Sequence, residues 1–553
     1  MNASPRRAIV YLIIILGGTL LFFPFLGKVA LFDWDEINFA EIAREMIVTK
    51  DYLNVQINFQ PFWEKPPLFI WMQVLSMKLF GINEFAARFP NALGGIITLL
   101  VLYEMGRKVF NSRMGAIWAL VYAGSILPFF YFKSGIIDPW FNLFIFCGVF
   151  DATLFLSEDK NKKLRIFLSG LFIGLGVLTK GPVALLIFGL AGIAYLVYVR
   201  FRVKIGFVHV LLFFAGLVLT GGSWFAIQLL SGHGDTVRDF IVYQVRLFST
   251  KDAGHGGFPG YHIVVLMLGL FPASAFLFGG IKRSSEENNL QDTWRKVCII
   301  LMLTVVILFE IVQTKIVHYS SLAYFPLTFL AALAIYRVVE GKSTFSKLSR
   351  GLLLGIYVLI VVAVAGLAEA AFFKDKLIAS GLIKDPFALG NLQAYVDWSG
   401  NEGAVVFILI AAVILFFLLK KPMMKIVALF TLTMVFTFVT MLVFVGRIEG
   451  YSQKAALDFY RAKKDQDCYI MPLGFKSYAH LFYSNKQPQA DPRSNDKDWL
   501  LTGDIDKPAY FVYKVTKKND YLKRYPYLYV LYEQNGFIFA ARYPDENPNY
   551  DKR

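Results

Sequence analysis

The chain has 553 residues, 56% of them hydrophobic, with 54 Phe, 28 Tyr and a mean hydropathy of +0.53, which excludes an ordinary soluble enzyme and fits a protein that crosses a membrane many times. A formal net charge of +16 does not imply nucleic acid, because most Lys and Arg lie in short runs between apolar stretches, where membrane topology puts them. Cys147 and Cys298 lie in apolar stretches and Cys468 stands alone, so neither a disulfide framework nor a zinc site can be built.

Arg6 and Arg7 precede the first apolar run without a small-residue cleavage site, so that run reads as a retained helix. At roughly 17 to 25 residues per crossing, about thirteen spans can be marked. They lie at 8–30, 87–109, 113–132, 138–156, 164–180, 182–200, 206–230, 260–281, 295–314, 319–338, 350–373, 403–420 and 423–446. The basic runs, from Arg6 and Arg7 through Lys162 and Lys163 to Lys420 and Lys421, all fall on one side, which is therefore cytoplasmic. The other side receives long loops at 31–86, 231–259 and 374–402. The expected fold is thus mainly α, a polytopic helical bundle over 1–446, followed by a small outer α/β domain over 447–553.

The first outer loop opens on three acids, Asp33, Asp35 and Glu36. Asp33 and Glu36 have capping-box spacing. Asp35 continues a helical stripe with Phe39, Ile42 and Met46, which predicts that its carboxylate lies on the buried face and leaves open a catalytic or an ion-paired role. The run from Pro66 to Gly81 is apolar but too short to cross, and predicts a helix along the membrane surface. In the tail, residues 451–464 read as helix, 468–472 and 510–515 as strands, and 527–543 as a hairpin about Asn535-Gly536.

Glu64 and Lys65 precede Pro66-Pro67, which fixes the backbone there. A lysine at headgroup level suits a lipid phosphate, and a solvated Glu-Lys pair is the alternative. Lys133, Lys180 and Lys315 are further isolated cations on the outer side, where positive charge is scarce. Asp138 before Pro139 is a second acid or a helix cap. The 231–259 loop carries Tyr243, Arg246, His255 and a glycine-rich run, and reads as a mobile flap.

With Asp35-Glu36 after the first span, Glu64-Lys65-Pro66-Pro67, Asp138-Pro139, Leu178-Thr179-Lys180-Gly181-Pro182 and Lys315 to Tyr319 in this order, the chain resembles the GT-C superfamily of membrane glycosyltransferases. The nearest branch contains the bacterial lipid A aminoarabinose transferases and protein O-mannosyltransferases. The resemblance implies an inverting, polyprenyl-phosphate-sugar-dependent transfer on the outer face of the bacterial inner membrane, to a lipid A-like or protein acceptor. It implies Asp35 as catalytic acid/base, with Glu64 and Lys65 matching the family's second acid and phosphate-binding lysine. Beside these, Asp138 is a further candidate catalytic acid, and Arg246, Lys180 and Lys315 are further candidate cations for the donor phosphate. Tyr243 and His255 fall in the family's flap. In the lipid A branch the flap carries a histidine a few residues before its arginine, whereas this chain has Tyr243-Gln244-Val245-Arg246. That departure leaves a divalent metal, with Glu64 and His255 as the candidate ligands, and the acceptor undetermined. Expected partners are the lipid-linked donor, the acceptor and membrane lipids; a flippase of the same lipid-linked sugar is the alternative.

Overall fold

The computed structural model describes residues 5–32, 35–157, 160–249 and 257–544. The chain is mainly helical. It begins with α1 (Pro5–Phe22), α2 (Asp35–Thr49), a two-residue ribbon of β1 (Gln56–Ile57) and β2 (Gln60–Pro61), α3 (Leu68–Phe80) and α4 (Glu84–Val109). The bundle continues with α5 (Ser112–Ala123), α6 (Ile126–Phe132), α7 (Asp138–Ser157), α8 (Lys162–Lys180), α9 (Val183–Tyr198), α10 (Phe207–Leu217), α11 (Ser223–Leu230) and α12 (Gly234–Ser249). Next come α13 (Tyr261–Gly269), α14 (Leu277–Ile281), α15 (Asn289–Ile311), α16 (Tyr324–Val339), α17 (Lys347–Phe372), α18 (Lys374–Ala379), α19 (Pro386–Leu392), α20 (Val406–Leu418) and α21 (Pro422–Gly450).

Each of the thirteen apolar stretches holds a helix, yet the described residues include only six helices long and apolar enough to cross, or eight if two bent pairs each count as one. Two of the stretches are bent: α5 and α6 meet at 77°, and α13 meets the following helix at 101°, so these are broken rather than continuous rods, and others, such as α9 over Val183–Tyr198, hold shorter apolar helices. The 231–259 loop also differs from expectation, since its first part is the sixteen-residue α12. Its high content of alternating charged and apolar residues makes α12 an amphipathic surface helix rather than a coil.

The C-terminal region builds α22 (Lys454–Ala462), β3 (Tyr469–Leu473), α23 (Ala479–Tyr483), α24 (Lys497–Thr502), β4 (Ala509–Lys514), α25 (Lys518–Arg524), β5 (Tyr529–Gln534) and β6 (Phe537–Arg542). The sheet order is β3-β4-β6-β5, with β3 parallel to β4 and the other pairs antiparallel. Asn535 and Gly536 both take positive φ, 50° and 79°, which is the geometry a two-residue hairpin turn requires. An apolar cluster joins this region to the first loop, with Phe39, Ile42 and Met46 of α2 packed in the same core as Phe459, Leu481 and Phe539.

Glycines decide how closely α8 and α10 approach. A Cβ on Gly170 would sit 1.9 Å from the Phe213 carbonyl oxygen, and one on Gly174 would sit 2.1 Å from Thr220 Oγ1. Small residues four apart let the two backbones touch, as in other helix pairs inside membranes.

Glu36 and Arg88 form the most connected buried pair near the first loop, 2% and 3% exposed. Arg88 Nε and Nη2 each donate to Glu36 at 2.8 Å, and the remaining donors go to the carbonyls of Leu26, Val29 and Ala30. Glu36 also accepts from the N–H of Phe32 at 2.7 Å and of Gly135 at 2.6 Å. Removing one partner of such a pair strands the other charge, at a cost of about 3–5 kcal/mol. Arg88→Met should therefore lower stability by about that much, read as loss of monodisperse protein on heating, while Lys342→Met at an exposed ion pair should leave the melting curve unchanged.

Candidate active site

Four elements bring their ends together at one side of the bundle. Asp35 opens α2, Asp138 opens α7 ahead of Pro139, Lys180 closes α8, and His318 lies in a 3-10 turn over Val317–Ala323. Pro139 takes the first turn of α7, where its missing N–H is no loss. Gly181 follows Lys180 with φ +93°, a conformation that glycine adopts freely, and so ends α8 with the lysine at its tip.

The central contact is the ion pair of Lys180 Nζ with Asp138 Oδ1 at 2.7 Å, with Asp138 only 3% exposed. The second oxygen, Asp138 Oδ2, is buried and has no hydrogen-bond partner among the described residues. Lys180 also lies over the rings of Phe141 and Tyr319, 5.6 and 5.5 Å from their centroids, which holds the ammonium from two further sides. Asp35 Oδ2 is 3.4 Å from His318 Nε2. The turn bearing His318 is tied to α7, since Asn142 donates to Ser321 Oγ at 2.7 Å and Ser321 donates to the His318 carbonyl.

Lys65 completes the group from the first loop. Loss of water around it holds its ammonium below the usual lysine range; Asp35 acts against that shift, while Lys180 reinforces it. The same loop meets α12, where the Gln244 side chain donates to the Glu64 carbonyl at 3.3 Å and Phe240 lies against Gly181. Arg246 is exposed on α12 with its guanidinium 5.4 Å from the Tyr243 ring. The result is an acid, a histidine and a second, lysine-paired acid, with two cations beside them. Such a set can accept a proton and stabilise a leaving phosphate.

Several sequence expectations change here. Asp35 is not on a buried face: its side chain is 40% exposed, and Glu36 is the buried acid. The stripe argument failed because α2 is buried on every side from Glu36 to Met46, so helical phase distinguishes nothing. Lys315 is turned away, donating to the carbonyls of Phe309 and Glu310 and pairing with the Glu310 carboxylate at 3.6 Å. Glu310 in turn accepts the N–H groups of Gly260 and His262 at the start of α13. Lys133 likewise caps α1 and the turn after it, bonding to the carbonyls of Leu21, Phe22 and Pro24. Asp33 and His255 lie outside the described residues. Among the described residues, no three His, Cys, Asp or Glu side chains gather as metal ligands, and Glu64 joins no such group. Sequence reasoning passed over His318, although it stands three residues after Lys315 in the motif that was singled out.

Residues 64–224 match the family model described as dolichyl-phosphate-mannose-protein mannosyltransferase, a stretch that takes in Lys65, Asp138 and Lys180. The chain is similar to an undecaprenyl phosphate-alpha-4-amino-4-deoxy-L-arabinose arabinosyl transferase of Proteus mirabilis, 27% identical over 51% of this chain and 52% of the relative. The enzyme of the same name from Aeromonas hydrophila is 27% identical over 60% and 61%. The match thus spans between half and two thirds of these relatives. The structure of ArnT from Cupriavidus metallidurans bound to undecaprenyl phosphate superposes with a TM-score of 0.75 over 98% of both chains, at 17% identity. The fold is that of ArnT. The apo ArnT structure superposes equally well, at 0.75 over 97% of this chain. The resemblance stated from the motifs therefore holds in the family model, in the relatives and, through ArnT, in the whole architecture.

A double-mutant cycle tests the central pair. Lys180→Met leaves the Asp138 carboxylate buried and unpaired and should cost about 3–5 kcal/mol in chemical denaturation. Adding Asp138→Asn should recover most of that loss; additive losses would show that the two side chains do not interact.

Proposed function

We propose that this chain is a GT-C-type glycosyltransferase that moves a monosaccharide from a polyprenyl-phosphate donor to a hydroxyl or phosphate of a lipid A-like or protein acceptor. The relatives' names favour an undecaprenyl-phosphate-linked amino sugar of the aminoarabinose class as donor. The observation that carries the reading is the Asp35 carboxylate beside His318, facing Lys65 and the Lys180–Asp138 pair at one end of the helices. A base opposite cations is what an attacking hydroxyl and a departing lipid phosphate need.

In the proposed step the acceptor oxygen attacks the anomeric carbon as Asp35 takes its proton. A new bond from carbon to the acceptor oxygen forms, the bond from carbon to the phosphate oxygen breaks, and the configuration inverts. Both bonding electrons leave with the lipid phosphate, whose charge Lys65 and Lys180 meet, with Arg246 approaching from α12. His318 holds Asp35 in place. Glu64 fixes the Lys65 turn through its carbonyl bond to Gln244, and Tyr243 supports Arg246. Transfer needs no metal in this scheme.

The proposed topology has thirteen crossings, a cytoplasmic N-terminus, and residues 447–553 as an α/β domain on the outer, periplasmic side of a bacterial inner membrane. Nothing favours the flippase reading, whose charges would be expected near the bilayer midplane.

Asp35→Asn should lower sugar transfer by a factor of about 100 to 10,000, measured as release of polyprenyl phosphate, while the protein stays monodisperse; undiminished turnover would overturn the assignment. The depressed lysine gives a pH test. Lys65 loses its charge on the alkaline side earlier than an ordinary lysine, so KM for the donor should rise as pH increases through that titration. Lys65→Arg, which stays protonated, should move the alkaline limb to higher pH. A limb that does not move would assign it to another group.

A further inference from the structure

Asp35 and His318 meet through Oδ2 and Nε2 at 3.4 Å, and they are unequally exposed: the Asp35 side chain is 40% accessible and that of His318 19%. An acceptor entering the site therefore meets the carboxylate first, with the imidazole behind it. The ring is placed by its own turn, because Ser321, held by Asn142 of α7, donates to the His318 carbonyl, and the Tyr319 ring stands 5.4 Å away at 74°. The charged groups that face the imidazole from other elements are Asp35 on α2, Asp138 on α7, Lys180 at the end of α8 and Lys65 from the first loop. Asp138 is held as the partner of Lys180, and an ammonium has no lone pair to offer, which leaves His318 to receive a proton from Asp35.

An aspartate of ordinary pKa, about 3.9, is a weak base for a hydroxyl proton, whereas an imidazole titrates near about 6.5 and is stronger by about 2.6 pK units. A carboxylate that can hand its proton on to an imidazole pulls harder than one that must keep it. Charge balance points the same way. The donor phosphate is a diester with one negative charge, and it leaves as a monoester with two. A proton resting on His318 leaves Asp35 ionised and makes an imidazolium between the Asp35 and Asp138 carboxylates, so the charge gained by the phosphate is answered inside the site.

We propose that His318 stores the proton that Asp35 removes from the acceptor, so that the base of the reaction is the pair and not the carboxylate alone; this rests on the reading of Asp35 given above. The acceptor O–H bond breaks as its oxygen bonds to the anomeric carbon. The proton passes to Asp35 and from its Oδ2 to His318 Nε2, which requires the neutral ring to carry its hydrogen on Nδ1. The electron pair of the broken bond between carbon and oxygen leaves with the lipid phosphate, and the imidazolium returns its proton to solvent when the products depart. His318 thus acts through Asp35, positioning it and raising its strength as a base.

The test uses the full-length protein in detergent, with undecaprenyl-phosphate-linked aminoarabinose as donor, lipid A or water as acceptor, and released undecaprenyl phosphate as the readout. His318→Gln keeps an N–H that can hold Asp35 but cannot store a proton. It should leave the melting curve and the donor KM unchanged and lower kcat by about tenfold, the order expected when the proton acceptor weakens. The pH profile separates storage from support. In the wild type kcat falls as pH drops through the imidazole titration, because an imidazolium accepts no proton; in His318→Gln that limb should move about 2.6 units lower, into the carboxylate range. His318→Ala should lose more activity and regain part of it with added imidazole. A Gln variant with wild-type kcat or an unmoved acid limb would overturn the proposal and leave His318 as a support only, without touching Asp35, whose own assignment fails only if Asp35→Asn keeps its turnover. Should the Gln variant not fold, the Ala variant decides, and no response to imidazole at any pH overturns the proposal.

Discussion

The direction in which α2 leaves the membrane depends on one guanidinium. Over residues 23–32, after α1, the chain has no regular structure, so the carbonyls of Leu26, Val29 and Ala30 have no helical partners, and unpartnered carbonyls near hydrocarbon cost several kcal/mol each. Arg88 supplies the missing donors through its rigid fork and spends its two remaining N–H groups on Glu36. A lysine could not do this, because its three protons cannot reach three carbonyls and a carboxylate in one plane. Glu36 then takes Gly135 from the turn before α7, which fixes the distance between the two acid-bearing helices. The pair does little for net stability compared with an apolar substitute. What it provides is a register, which sets where Asp35 and the start of α7 stand relative to each other.

The second constraint is steric. Lys180 can reach Asp138 because α8 packs against α7 along Gly148, where a Cβ would meet Ile173 at 2.8 Å, and against α10 along Gly170 and Gly174. Backbone contact on two sides leaves α8 no freedom to slide, so the charge at its tip is held by packing rather than by the charge it pairs with. Preorganised cations of this kind need no rearrangement when a leaving phosphate develops charge.

How much of this was legible in the sequence follows from which interactions are local. The positions of α2, α3, the tail strands and the Asn535-Gly536 turn were readable because hydrophobic period and turn chemistry act within a few residues. The roles of the neighbouring acids were not. Asp35 and Glu36 look alike in sequence, and what separates them is Arg88, fifty-two residues away, and His318, on another helix. Lys315 drew attention as a rare outer cation, yet it closes a helix end five residues back at Glu310, while the following 3-10 turn carries His318 to Asp35. The same limit applied to span counting, since a 101° bend within an apolar run leaves its composition unchanged.

The C-terminal region enters the argument at the same segment. Leu31, two residues before the acid cluster, donates its N–H to Tyr483 at 2.8 Å and receives a bond from Gln453 to its carbonyl at 2.9 Å. About two and a half turns into α2, Arg44 is fully buried, doubly bonded to Glu41 and reaching Asn485. Beside it, Glu45 accepts the N–H groups of Asn58 and Phe59, with burial, and then the charge of Glu41, raising its carboxyl to about 9. The tail therefore supplies polar partners along both ends of α2, the helix whose first residue is Asp35. A helix buried on all sides from Glu36 to Met46 needs such partners for its charged positions, and in this fold they come from nearly the other end of the chain.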